Sequence, residues 1–364
     1  MREAARGLAA AGAALLVMAG VAAAGLALLG AGRVGGLGAL TAAAVSLAVG
    51  GSADVGADPA SALPLTVHGS LHLLPLGVSL VGAVVLGRLL LRRREEGLLV
   101  RGAVAAVAFP VALSGFTFAA RGRLSVPAGV TTGACVRTGG APRLPVSGEF
   151  SVAAGPTVLG AVVWVLVVVG VCVLITRFPC STSNSRALWW LAGGGTALCF
   201  VVAWAFGGAT AAGAVLLVLP QLVSGVLVLG LGVPWTAGTT GLLSCAPHLA
   251  PGGPASWVAV AVLLTCGVAV RSRRPGDPLR RAVASAVRLG PAVGVVLAVM
   301  TLLSRVSVDF TVSAFGLSLP VFSAGLTANP LLALVAGLAG GAAAGFAGSL
   351  LADGISVSSR AWKR

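Results

Sequence analysis

The chain has no tyrosine, a single lysine (Lys363), a single glutamine (Gln221) and only nine acidic residues among 364. The scarcity of lysine and of acids removes classes of function. With its one lysine at the tail, the sequence has no Walker A loop and no ATP hydrolysis of that kind. The acids are Glu3, Asp54, Asp58, Glu95, Glu96, Glu149, Asp277, Asp309 and Asp353, and all fall at the ends of apolar runs or between them. That placement argues against a carboxylate proton relay or a facing aspartyl pair inside a membrane, where ionisable groups are costly and mark function. A His-Glu-x-x-His zinc signature is also missing. No catalytic constellation emerges, so the chain is not expected to be an enzyme, and no cofactor is expected.

Charge is scarce as well. With 9% charged and 57% hydrophobic residues and a mean hydropathy of +1.04, the chain has too little polar surface to cover a water-soluble domain of this length. Its solvent is the lipid bilayer. The 53 glycines fit helices that approach closely in a membrane, where small side chains admit neighbouring backbones. The net charge of +15 sits on arginines in short runs between apolar segments. That is a positive-inside pattern rather than a nucleic-acid surface.

Hydropathy gives spanning candidates at 8–29, 74–91, 101–120, 157–175, 187–208, 257–270, 283–303 and 331–351. Two further segments, 37–51 and 213–231, are ambiguous, because a span needs about 20 apolar residues. The first is short and the second is interrupted by Pro220-Gln221. If both return to the side they entered, roughly three-quarters of the 24 basic residues lie in the cytoplasm, more than if both cross. The expected fold is therefore all-α: a polytopic α-helical integral membrane protein with about eight full spans and two short re-entrant segments. Its N- and C-termini are expected in the cytoplasm. The apolar run at the N-terminus exceeds a signal-peptide core and is read as an uncleaved first helix.

The order of segments repeats. An N-terminal membrane half at 1–180 and a C-terminal half at 187–364 each read as span, short segment, outer loop, span, span, outer loop, span. "RGAVAAVAFP" (101–110) answers "RRAVASAVRLGP" (280–291). "LAVGGS" after the first short segment answers "LGLGVP" after the second, and "RGRLSV" answers "LSRVSV". Since both halves begin on the same side, a parallel two-fold repeat is expected.

The runs "TAAAVSLAVGGS" (41–52), "LPLGVSLVGAVVLGRLLLR" (74–92), "LPQLVSGVLVLGLGVPW" (219–235) and "VSVDFTVSAFGL" (306–317) together resemble the streptophobe family of actinobacterial membrane proteins. The resemblance implies a polytopic helical protein of the bacterial plasma membrane and no established activity.

Residues able to carry function are few. A site between the two short segments would use Gly50, Gly51, Asp54 and Asp58 from one, and Pro220, Gln221, Gly230, Gly232 and Trp235 from the other. Here Pro220 breaks the helix, Gln221 offers its amide, and the glycines let the turns bend. His68 and His72 share a face if their segment is helical, and Cys245 and His248 would complete a metal site; the plainer reading is polar residues at the water interface. Cys135 and Cys245 both fall outside, where a disulfide is chemically permitted. Gly337, Gly341 and Gly345 form a small-residue ridge on the last helix, suited to packing within the bundle or to oligomerisation. Two roles follow. The first is a non-catalytic envelope or membrane scaffold, with an unidentified membrane or envelope protein as partner. The alternative is a small-solute transporter or channel-like protein.

Overall fold

The computed structural model describes residues 2–57, 65–92, 97–126, 146–177, 182–241, 253–269, 277–314 and 317–361. Among these, helices α1 (Arg2–Leu28), α4 (Leu98–Ala119), α5 (Ala154–Arg177), α6 (Thr182–Gly230), α8 (Pro278–Leu303) and α9 (Pro330–Ala361) are the long ones. Each contains a stretch long and apolar enough to cross a membrane. Three apolar helices are shorter: α2 (Leu37–Ala48), α3 (Leu76–Leu91) and α7 (Pro254–Ala269). Large apolar side chains such as Leu159, Phe206 and Val287 point outward from these helices, as lipid-facing residues must. The chain is a helical membrane protein.

The sequence predicts helices joined by outer loops, but those loops form a seven-stranded antiparallel sheet. Its strands are β1 (Ala53–Ala57), β2 (Leu65–His72), β3 (Arg121–Val126), β4 (Val146–Val152), β5 (Trp235–Gly241), β6 (Val306–Ala314) and β7 (Leu317–Ala328). Their spatial order is β3-β4-β1-β2-β6-β7-β5. The physical reason is alternation. "VSGEFSV" and "VSVDFTVSA" place apolar and polar residues on opposite faces with period two, the pattern of a half-buried strand. The all-α expectation holds for the bundle and fails for what caps it.

All strands gather at one end of the bundle. α4 runs into β3, α5 starts where β4 ends, and α8 and α9 flank β6 and β7. The N-terminus of α1 lies at the other end: Glu3 accepts from Arg6 and from Arg101 in the first turn of α4. Helix α2 stays at the sheet end throughout. Ala39, near its start, lies beside Gly122 of β3, and its last turn leads into β1. That turn is a Schellman motif: Gly51 N–H donates to Ser46 O and Gly50 N–H to Leu47 O, each at 3.0 Å. Gly50 has φ 101°, a left-handed conformation that glycine alone adopts cheaply.

The break expected at Pro220 lies elsewhere. α6 continues helically through Pro220, and its non-helical residue is Gly208, with φ 68° and ψ −165°. A membrane helix accommodates proline where neighbouring groups take up the freed backbone acceptor.

The core is packed by small residues and a few rings. Phe109 stacks on Trp164 with centroids 5.0 Å apart, and the Trp164 indole N–H donates to Ser79 Oγ at 2.8 Å, tying α3, α4 and α5 together. The glycine ridge of α9 packs on α8: Gly337 against Gly294, Gly341 against Leu289 and Val293, and Gly345 against Ser285 and Ala286. The ridge is filled within the chain. Asn329 Oδ1 accepts the backbone N–H of Leu331 at 2.9 Å and caps α9.

Candidate functional site

The sheet has two chemically different faces. On one, Phe150 and Val152 of β4 and Ala53 of β1 are buried against Ala42, Ala43 and Leu47 of α2 and Ala120 after α4. This face seats the sheet on the helices. On the other, cross-strand partners line up as one polar row, because directly paired residues of an antiparallel sheet point the same way. Arg121 pairs with Ser151, Ser151 with Asp54, Asp54 with Ser70, Ser70 with Asp309, and Asp309 with Ser323. The row crosses six adjacent strands.

A second row lies two residues along: Arg123, Glu149, Gly56, His68 and Thr311. The second row, and the first as far as Asp309, line a cavity of about 640 Å³. Five neighbouring strands contribute to one concavity, so the sheet curls around it.

Charge is unevenly spread along this floor. At the β3 side, Arg123 pairs with Glu149 at 3.2 Å, both strongly exposed, and the Arg121 guanidinium lies over the Phe118 ring at 5.7 Å. At the centre, Asp54 and Asp309 flank Ser70 from either side, which sets their Cα atoms about 10 Å apart at ordinary strand spacing. Both are exposed. The floor thus offers cations at one side, two carboxylates at its middle, and serines, a threonine and His68 as further hydrogen-bonding groups.

Of the residues expected to form a site, the cavity contains Asp54 and His68. Other described candidates serve packing, turns or backbone hydrogen bonds. Gly51 leaves no room for a side chain beside Thr157 Oγ1 and Ser46 O, and Gly230 packs on Ala255 and Ala259. Gly232, with φ 83°, closes the end of α6 as Gly50 closes α2. The Gln221 amide N–H donates to the carbonyl of Leu74, while its Oε1 and the indole Nε1 of Trp235 are buried without a hydrogen-bond partner. Trp235 packs among Val228, Val233 and Leu297. Asp58, Cys135, Cys245 and His248 lie outside the described residues, and with them the expected disulfide.

The metal site expected from His68 and His72 does not form from those two. Both lie on strand β2, where a spacing of four separates them by about 13 Å instead of placing them one turn apart. Among the described residues no three His, Cys, Asp or Glu side chains gather closely enough to hold a metal ion.

Arg121, Glu149, Ser70 and Asp309 escape a reading based on apolar runs, because they sit in the short polar stretches between them. Their signal is the period-two alternation of those stretches. Comparison of the chain with protein-family models, curated proteins and solved structures finds no match.

Proposed function

We propose that the protein is a non-catalytic component of the bacterial plasma membrane that holds a polar docking sheet outside it, engaging an amphoteric polar ligand or an envelope partner. One observation carries the reading: the unbroken polar row from Arg121 to Asp309, opening onto the 640 Å³ cavity. Its chemistry suits a group bearing a cation toward Asp54 and Asp309 and an anion toward Arg121. In this reading the sheet end faces outward, both termini are cytoplasmic, α2 re-enters without crossing, and the streptophobe resemblance stands as a proposed kinship.

A parallel tandem repeat belongs to the same proposal, and three correspondences support it. The order β3-β4-β1 of the first half recurs as β6-β7-β5 in the second, with each strand following or preceding the equivalent helix. The turn ending α6 repeats the turn ending α2: Val233 N–H donates to Val228 O and Gly232 N–H to Leu229 O, each at 3.0 Å. In both, the strand begins three residues after the left-handed glycine, at Ala53 and at Trp235.

Photo-crosslinking in intact cells tests the function. A crosslinking residue at Ser70 is expected to give an adduct of defined mass that is lost with Asp54→Asn and Asp309→Asn together, while one at lipid-facing Leu159 gives only lipid. No discrete adduct at Ser70, or one indifferent to both substitutions, would sink the proposal. The transporter alternative rests on the two unpartnered buried groups, Gln221 Oε1 and Trp235 Nε1. It requires solute flux in vesicles that Gln221→Leu abolishes.

A further inference from the structure

A second pocket lies at the end of the bundle opposite the sheet. It has a volume of about 520 Å³ and is lined by Arg6, Ala9, Ala10 and Ala13 of α1, Leu89 and Arg92 at the end of α3, and Arg101 of α4. Its chemistry is polarised along the membrane normal. The three arginines gather at the helix ends, while Ala9, Ala10, Ala13 and Leu89 continue the groove toward the membrane interior.

One carboxylate, Glu3, serves both Arg6 and Arg101. Arg101 is 4% exposed and also donates to the carbonyl of Leu90 at 3.3 Å, which fixes the floor of the pocket. Arg6 and Arg92 are exposed at the rim. Among the described residues the lining carries three guanidinium groups against one neighbouring carboxylate, a net of positive charge at headgroup depth.

We infer that this groove binds an anionic glycerophospholipid, its phosphodiester held by Arg6 and Arg92 and an acyl chain laid along Ala9, Ala13 and Leu89. The guanidinium fork matches phosphate oxygens in pairs. One feature favours a lipid over a small anion: the positive rim opens onto an apolar groove that a free anion would leave unfilled. Basic pockets between membrane helices recognise headgroups in this way.

The test uses the full chain in nanodiscs of phosphatidylglycerol and phosphatidylcholine, released for native mass spectrometry. Phosphatidylglycerol is expected to be retained over phosphatidylcholine, and the double variant Arg6→Gln with Arg92→Gln to lose that retention by about tenfold or more. Arg177→Gln removes an exposed cation at the same end of the bundle, on α5, and is expected to change nothing. Thermal unfolding of each variant, and the single variant Arg92→Gln, separate loss of lipid from loss of fold. Equal retention of both lipids would overturn the inference. So would an Arg177→Gln effect as large as that of the double variant, which means diffuse charge. Displacement of the lipid by millimolar inorganic phosphate would also overturn it, since the site would then belong to a free anion.

Discussion

Glu3 and Arg101, 98 positions apart in the chain, join carboxylate to guanidinium where α1 and α4 begin. The pair is asymmetric. Arg101 is almost wholly buried, whereas Glu3 is 35% exposed and keeps Arg6 as a second partner. Removing Glu3 takes away the carboxylate that both Arg6 and Arg101 meet; removing Arg101 leaves a carboxylate that water and Arg6 can still satisfy. Glu3→Ala is therefore expected to lower the melting temperature in detergent more than Arg101→Met. The opposite order would mean that the pair is not closed in the folded protein.

Phe150 and Ser151 are sequence neighbours on opposite faces of β4. Phe150 is buried on α2, so Phe150→Ala is expected to destabilise the fold by about 3–5 kcal/mol. Ser151 is exposed on the cavity side, and Ser151→Ala should stay within about 0.5 kcal/mol. Thermal unfolding of the two variants checks which face meets the helices, and similar losses from both would contradict the assignment.

Close backbone approach at the α8–α9 contact predicts sensitivity to added carbon. A Cβ on Gly337 would lie 2.8 Å from Gly294 Cα, and one on Gly341 would lie 2.9 Å from Val293 Cβ. Each valine substitution there is expected to cost about 1–3 kcal/mol through overpacking. Gly12 of α1 has open space around it, and Gly12→Ala should stabilise by about 0.5–1 kcal/mol through helix entropy. If Gly341→Val left stability unchanged and instead dissociated a dimer, the ridge would belong between chains.

Orientation is open to chemical labelling. In a background with all six cysteines replaced, cysteine at Ser70 or Thr311 is expected to react with an impermeant maleimide on intact cells. Cysteine at Arg92 or Arg177 should react only after permeabilisation. Labelling at Arg92 with silence at Ser70 would invert the proposed topology.

The bundle was readable because its long segments are read by composition alone. Nothing but a buried or lipid-facing helix accommodates a run such as 154–177. The sheet was harder to see for a physical reason. Strands such as Ala53–Ala57 span five residues, too few for alternation to stand out among glycines and serines, and their partners come from far along the chain. The pairing of His68 with Thr311 leaves no local trace. Of the site, Asp54 and His68 were legible as polar residues outside the spans, but their meeting with Arg121 and Asp309 depends on strand order. Pro220 drew the eye as a helix breaker, while the residue that departs from helical geometry, Gly208, follows another glycine and carries no mark of its own.

The pairing of β2 with β6 joins the first half of the chain to the second through eight consecutive registered positions, Leu65 with Ala314 through His72 with Ser307. Backbone hydrogen bonds on this scale act as a seam. The halves cannot part at the end where the seam runs, so any rocking between them must pivot about the sheet and open at the arginine-bearing end. Rocking of one half against the other is thereby confined to a one-sided hinge, like a book bound along the sheet.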